Sequence, residues 1–237
     1  MMNKLINKYN FYLSNTEACS YIENNEERKI FTVIDGPIKS DDYESLIQFG
    51  FRRSNNIIYN QICDGCDSCK SIRINSKTHT LTKSQKRILK KNYNLFKRTQ
   101  KNKASLAQFN LFKKYLKFKH GESDMNKMNY IDYKKMLEAP GVNTKVYEYY
   151  DQDKLVACVV SDLLNESISM VYSFYSNDYL KNSIGKFLIL DHFNLAKELE
   201  KKFVYLGYWV EGSEKMDYKS KFNSSEVLIN NQWKNIY

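Results

Sequence analysis

The sequence predicts an α+β fold: a small N-terminal strand-and-helix unit with a cysteine-rich turn, then a larger domain on a mainly antiparallel mixed sheet. Three observations carry this. Runs of alternating polar and apolar residues, such as Ser71-Ile72-Arg73-Ile74, mark strands close to the cysteines. Apolar residues at helical spacing dominate the middle of the chain. Three consecutive strand-like runs begin at about Lys145 and precede a long amphipathic helix. At 237 residues the chain has ample core for such units, and the expected division is 1–75 and 76–237.

In chain order, Ile30 to Asp35 reads as a strand closed by the turn Asp35-Gly36-Pro37. A short helix follows, with Asp41 and Glu44 at capping-box spacing, Tyr43, Leu46 and Ile47 on one face, and Gly50 as its stop. Arg52 and Arg53 come directly after. Ile57-Ile58-Tyr59 and Ser71 to Ile74 read as two strands, with Cys63, Cys66 and Cys69 in the turn between them. These three soft ligands are spaced to converge on one ion, with Cys19 as a fourth. Four thiolates suit zinc or an iron-sulfur cluster; the other reading is a set of reduced, half-buried thiols that pack a loop-rich corner. Cys158, in the apolar run Leu155 to Val160, belongs to the core. An odd total of five cysteines, three in one turn, points to a reducing compartment rather than a disulfide framework.

Net charge is +10, unevenly spread. From Ser68 to Gly121 there are 16 Lys or Arg and no Asp or Glu, whereas the rest of the chain is net acidic. A surface that meets a polyanion has this character. Lys83, Lys86, Arg87, Lys90 and Lys91 fall on one face of a helix beginning near Thr82, with Ile88 and Leu89 turned to the core. With no acidic partner at i±4 the five charges repel one another, and a nucleic-acid backbone would relieve that repulsion. No apolar run approaches the ~20 residues that span a bilayer, and the first residues lack the apolar region of a signal peptide. The expectation is a soluble, cytoplasmic protein with no membrane partner.

Asn94 to Arg98 reads as a strand. Ser105 to His120 reads as a helix with Gly121 as its stop and His120 as a cation at its carboxyl end. Tyr130 to Glu138 is a further helix, stopped at Pro140-Gly141. Val146 to Tyr150, Lys154 to Leu164 and Ile168 to Tyr175 should form an antiparallel meander. Asn182-Ser183-Ile184-Gly185 then opens a helix to about Lys202. Phe203 to Gly207 and Val227 to Ile229 read as strands, with a short helix of about Glu214 to Phe222 between them. A meander followed by helix, strand, helix and strand is the order of GNAT-like acyltransferases, an analogy of fold and not of function.

Several segments coincide with motifs of a known family. They are Cys19-Ser20-Tyr21, Gly50-Phe51-Arg52-Arg53-Ser54, the three-cysteine turn with Arg73-Ile74, and Ser84-Gln85-x-Arg87-x-Leu89-Lys90-x-Asn92. Downstream come Val171-Tyr172-x-Phe174-Tyr175, Ser183-Ile184-Gly185, Tyr205 to Trp209 and Lys215-Met216-x-Tyr218-Lys219. On these islands, from about Phe11 to Trp233, the chain resembles the bacterial aspartate/glutamate leucyltransferases, relatives of the eukaryotic arginyl-tRNA-protein transferases. Ser176-Asn177-Asp178 and Asn223-Ser224 stand where the family usually has prolines, at turn positions.

The resemblance implies transfer of leucine from the 3′ end of an aminoacyl-tRNA to the α-amine of proteins with N-terminal Asp or Glu, which marks them for degradation by an N-degron pathway. The same reaction with Arg-tRNA is one alternative. A GNAT acetyltransferase using acyl-coenzyme A is another, although the lone Gly185 matches poorly the glycine-rich turn of such enzymes. An aminoacyl ester is already activated, so no cofactor is required for the chemistry. The protein must hold two substrates in attack geometry, accept a proton from an amine and stabilise an oxyanion. Arg52, Arg53 and Arg73 are the candidates for the acceptor carboxylate. Tyr172, Tyr175, Tyr208, Lys215 and Tyr218 are the candidates for orientation, proton relay or oxyanion contact. Lys83, Lys86, Arg87, Lys90, Lys91 and Arg98 would meet tRNA phosphates, and the helix start at Ser183 to Gly185 a phosphate of the tRNA end or merely its own cap.

Overall fold

The computed structural model describes residues 5, 7–119, 124–138, 141–214 and 216–236. Its first strands, β1 (Tyr12–Leu13), β2 (Glu17–Ala18) and β3 (Glu26–Glu27), are short. β1 joins β4 (Lys29–Val33), β5 (Arg52–Ser54) and β6 (Ile57–Gln61) in an antiparallel sheet of order β1-β4-β6-β5, and β2 pairs with β3. Helix α1 (Ser40–Gln48) buries Tyr43, Leu46 and Ile47 as its spacing predicts, and Gly50, at φ +92°, follows it. The expected capping box is absent. Lys39 holds the N-cap without a side-chain bond, and Glu44 is instead buried, accepting from the Glu166 amide at 3.0 Å and from Ser167 Oγ at 2.6 Å.

Four further helices are α2 (Lys83–Lys91), α3 (Leu106–Lys119), α4 (Tyr130–Leu137) and α5 (Ile184–Glu198). The remaining strands are β7 (Cys69–Asn75), β8 (Phe96–Lys101), β9 (Thr144–Asp151), β10 (Lys154–Leu163), β11 (Ser167–Tyr175), β12 (Phe203–Val210), β13 (Ser225–Ile229) and β14 (Gln232–Asn235). They form one sheet of order β14-β13-β7-β12-β11-β10-β9-β8. Each neighbouring pair is antiparallel except β11 with β12, which α5 connects. The mainly antiparallel mixed sheet and its meander are therefore as expected. Strand alternation divides the core: Val159 of β10 packs with α5, while Cys158 and Val160 pack with Phe112, Leu116 and Tyr133 of α3 and α4. Ile88 and Leu89 seat α2 against the α5 side. No described helix is long and apolar enough to cross a membrane.

Several expectations are corrected. β7, assigned by sequence to the N-terminal unit, lies inside the large sheet between β12 and β13, so the chain does not divide at residue 75. The cysteine turn joins two sheets rather than two strands of one. Ser183 does not cap α5 with its side chain; it sits at φ +56°, at the end of the 3₁₀ turn Asn177–Asn182. α5 stops at Glu198 because Glu200 turns left-handed at φ +55° and the Lys201 amide bonds back to the Ala196 carbonyl at 2.7 Å. A single 3₁₀ turn, Asp217–Lys219, replaces the helix expected over Glu214 to Phe222, and β14 is an additional strand. His120, Gly121 and Pro140 lie outside the described residues.

Candidate active site

Successive residues of a strand face opposite ways, and β5 uses this to separate its two arginines. Arg53 points inward. Its Nε and Nη2 donate to Asp162 at 2.7 and 2.8 Å, and Asp162 also accepts from Tyr43 Oη and Thr144 Oγ1, both at 2.7 Å. Both charged side chains are fully buried. Arg73 is held similarly: Nε donates to Glu226 at 2.7 Å, and the guanidinium lies 3.6 Å from the Phe203 ring and 4.1 Å from that of Trp233. Arg53 and Arg73 are thus committed to the fold, which corrects their expected role as carboxylate receptors. Arg52 differs. It is half-buried, lies 5.4 Å from the Tyr208 ring, and rests on Gly207, where a Cβ would fall 1.0 Å from Nη1. The register of β12 shifts between Tyr205 and Gly207, and Gly207 takes φ +86°, so a bulge and a missing side chain together make the slot. Among the described residues no carboxylate pairs with Arg52.

Tyr218 feels the charge of Arg52 and also lines a cleft of about 510 Å³, with Tyr115 of α3, Ser173 and Tyr175 of β11, and Ile184, Gly185 and Ile189 of α5. A Cβ at Gly185 would stand 3.1 Å from Tyr175 Oη, so glycine lets that hydroxyl lie against the start of α5. Tyr115 packs edge-on to Tyr175 at 5.0 Å. Burial pushes the Tyr218 phenol up to about 12 and raises Tyr175 and Tyr115 as well. These phenols therefore stay neutral and act as donors, as an oxyanion requires, rather than as bases. Leu180, Ile184 and Ile189 give the cleft an apolar wall, Lys119 and Lys186 also line it, and its acid, Glu214, is exposed.

The structure thus brings Tyr175 and Tyr218 together but not the other expected tyrosines. Tyr172 packs 5.8 Å from Phe112 with its hydroxyl buried and unpartnered. Tyr208 is buried and donates to Asn60 Oδ1 at 3.0 Å. Lys215 lies outside the described residues. Two residues escaped the sequence reading. Tyr115 sits on a helix whose pattern announced only a core stripe. Lys219 stands next to Tyr218 in Lys215-Met216-x-Tyr218-Lys219, with no other signal to lift it from the many lysines. Its Nζ donates to the Tyr208 carbonyl at 2.6 Å, and burial, then the Arg52 charge, lowers it to about 7.

Cys19, Cys63, Cys66 and Cys69 line one cavity of about 30 Å³ together with Glu26, Glu27 and Asp67, room for an ion or a water. Burial, followed by Cys19, Cys63 and Cys66, pushes Cys69 up to about 12, while the Ser68 hydrogen bond lowers Cys66. The thiols are free, and among the described residues no three Cys, His, Asp or Glu side chains are set to grip an ion together. Cys158 is fully buried in the core.

On α2, Thr82 and Gln85 form a capping box, and Lys83, Lys86, Arg87, Lys90 and Lys91 are exposed. Among the described residues none of the five has an acidic partner; Lys91 Nζ reaches only the Lys181 carbonyl, at 3.4 Å. Arg98, in contrast, is paired with Glu148 at 3.1 Å. Exposed Tyr93 and Phe96 lie just beyond the stripe, 84% and 64% accessible.

Compared with known proteins, the chain matches the family described as arginine-tRNA-protein transferase, N terminus, over residues 17–87, and its C-terminal counterpart over residues 107–229. It is 39% identical over 234 residues to an aspartate/glutamate leucyltransferase of Rhizobium leguminosarum bv. trifolii (strain WSM2304), covering 94% of this chain and 91% of that one. It is 40% identical over 225 residues to the protein of the same name from Ruegeria sp. (strain TM1040), covering 94% and 82%. Among solved structures, FemX superposes with a TM-score of 0.48 at 6% identity, over 89% of this chain and 83% of that one. L-PGS from Bacillus licheniformis gives 0.45 at 13% identity, over 74% and 54%.

Proposed function

The chain belongs to the arginine-tRNA-protein transferase family, beside the aspartate/glutamate leucyltransferases, and we propose on that premise that it moves leucine from Leu-tRNA to the α-amine of proteins beginning with Asp or Glu. It is an aminoacyltransferase. The observation that carries the substrate assignment is the placing of an arginine with no carboxylate partner among the described residues beside Tyr208, whose carbonyl holds Lys219, the neighbour of Tyr218 in an apolar-walled cleft. The leucyl group occupies the wall of Leu180, Ile184 and Ile189. An arginyl donor would call for a buried carboxylate there, and Glu214 is exposed, which favours leucine. The acceptor carboxylate goes to Arg52. Its amine attacks the ester carbonyl, the new C–N bond forms as the C–O bond to the tRNA 3′ oxygen breaks, and the amine proton ends on that oxygen. Tyr175 and Tyr218 donate to the oxyanion on the way.

The tRNA body lies along the stripe of α2, with Tyr93 and Phe96 as stacking surfaces and Lys119 and Lys186 near the acceptor end. Cys19, Cys63, Cys66 and Cys69 are the candidate ligands for zinc or an iron-sulfur cluster, and their side chains would have to turn inward to bind one, since among the described residues no three are set to grip an ion together. Their soft donors line one small cavity, and a bound metal would displace the thiol protons of its ligands. Its role is to tie the Cys19 loop to the turn before β7. Degradation of the product by an N-degron pathway and a cytoplasmic location complete the reading. The test is transfer of radiolabel from Leu-tRNA, and separately Arg-tRNA, to proteins beginning with Asp, Glu, Lys or Ala. Leucine on Asp and Glu alone is expected; arginine transfer would change the donor, and no transfer from either would favour acyl-coenzyme A.

A further inference from the structure

Two cations meet at the bulge of β12, and among the described residues no carboxylate neutralises either. Arg52 rests on Gly207. Lys219, half-buried, donates to the carbonyl of the next residue, Tyr208. Asp217, half-buried on the same turn, is engaged with Lys221 at 2.5 Å. The other groups around Lys219 are neutral: the phenols of Tyr208 and Tyr218, both held protonated by burial, and Ser225 of β13, whose hydroxyl donates to the Lys219 carbonyl at 3.2 Å. Like charges enclosed together are unfavourable until an anion enters.

We propose that Arg52 and Lys219 form one seat for the side-chain carboxylate of the acceptor's first residue, and that Lys219 is the residue that separates Asp and Glu from Asn and Gln. This rests on the acceptor reading above. A carboxylate has two oxygens and only accepts, so the Arg52 fork and the Lys219 ammonium can both be satisfied. An amide of the same shape brings one oxygen and an NH₂ group, and with cations on both sides its donors must face a donor. One arginine alone would leave the amide oxygen a good site. Because burial and Arg52 leave the free amine largely unprotonated at alkaline pH, entry of the acid carries a proton with it.

The experiment is leucine transfer from Leu-tRNA to peptides that differ only in a first residue of Asp, Glu, Asn or Gln, with wild type, Lys219→Met and Lys219→Arg. Lys219→Met should raise KM for the Asp peptide by about 10- to 100-fold, leave kcat within about threefold, and shrink the preference for Asp over Asn; Lys219→Arg should restore most of both. Calorimetric titration of wild type at pH 8, in two buffers of different ionisation heat, should find about one more proton taken up with the Asp peptide than with the Asn peptide. A Lys219→Met protein with unchanged KM and preference overturns the proposal. So does one that loses kcat equally on every acceptor at unchanged KM, as removal of a general base would do. If Lys219→Met fails to fold, the wild-type titration decides: equal proton uptake with both peptides overturns it. Wild type that moves leucine to none of the peptides instead refutes the transfer reading beneath it.

Discussion

Lys219 sits where burial and the Arg52 charge both work against its ammonium, and the departure has a sign. Its folded value of about 7 lies below the ordinary 10.5 of a lysine, so between those two pH values the unfolded chain binds more protons and stability rises with pH. The charged amine is a full penalty below pH 7, and none remains above both values. Lys219→Met should therefore melt above wild type at pH 6.5, with a margin that narrows toward pH 10 when followed by circular dichroism; a margin constant with pH would mean the amine is well solvated. The tyrosines separate on the same principle of surroundings. Tyr218→Phe removes a neutral donor from the cleft and should lower kcat by about 10²–10³-fold in single-turnover transfer. Tyr172→Phe removes a hydroxyl that has no partner and lies outside the cleft lining, and should leave kcat within about threefold. Sequence placed both in motifs with equal claims. Only packing distinguishes a phenol that faces the cleft from one wedged against Phe112, and an order of residues does not carry that.

At the scale of elements, legibility followed periodicity. α2 was readable to about its start near Thr82 because five cations and two apolar residues at helical spacing leave one orientation; the Thr82 and Gln85 capping box that fixes its first residue came only with the structure. The face should act as a unit. Lys86→Gln, Arg87→Gln and Lys90→Gln combined should weaken tRNA binding at low salt and reduce the slope of log K against log salt by about two to three. An unchanged slope would place the tRNA elsewhere. The capping box on α1 failed for a reason outside the helix: Glu44 has a better use across the interface, where the Glu166 amide and Ser167 hydroxyl need an acceptor. The alternation in Ser71 to Ile74 correctly gave a strand, but alternation is silent about which sheet receives it. β7 pairs with β12 and β13, whose residues lie more than a hundred positions away. The same holds for the arginines. Their adjacency was legible, while the partner that claims Arg53, Asp162, was not, because it comes from a mainly apolar strand more than a hundred positions away.

The molecule as a whole is held at Asp162, where α1, β5, β9 and β10 converge through Tyr43, Arg53, Thr144 and the carboxylate itself. Around it the smaller sheet's interior is closed by Leu164, Phe203 and Tyr205 from the larger one, and the indole of Trp233 donates to the Gln48 carbonyl at 3.1 Å. Neither sheet has a complete core without the other, so unfolding in urea should follow one transition by both tryptophan fluorescence and circular dichroism. Arg53→Met strands a buried carboxylate, and the loss should be about 3–5 kcal/mol. Adding Asp162→Leu removes the stranded charge and should recover most of it, leaving only the cost of the Tyr43 and Thr144 hydroxyls that lose their acceptor. The recovered double variant also reports on the site, since Arg53 anchors the strand that holds Arg52 over Gly207. A double variant that regains stability yet binds Asp peptides poorly would make the buried pair a device for aiming Arg52. Two separate transitions, with Arg53→Met shifting only one, would instead mean that the sheets fold independently and that the shared interior does not couple them.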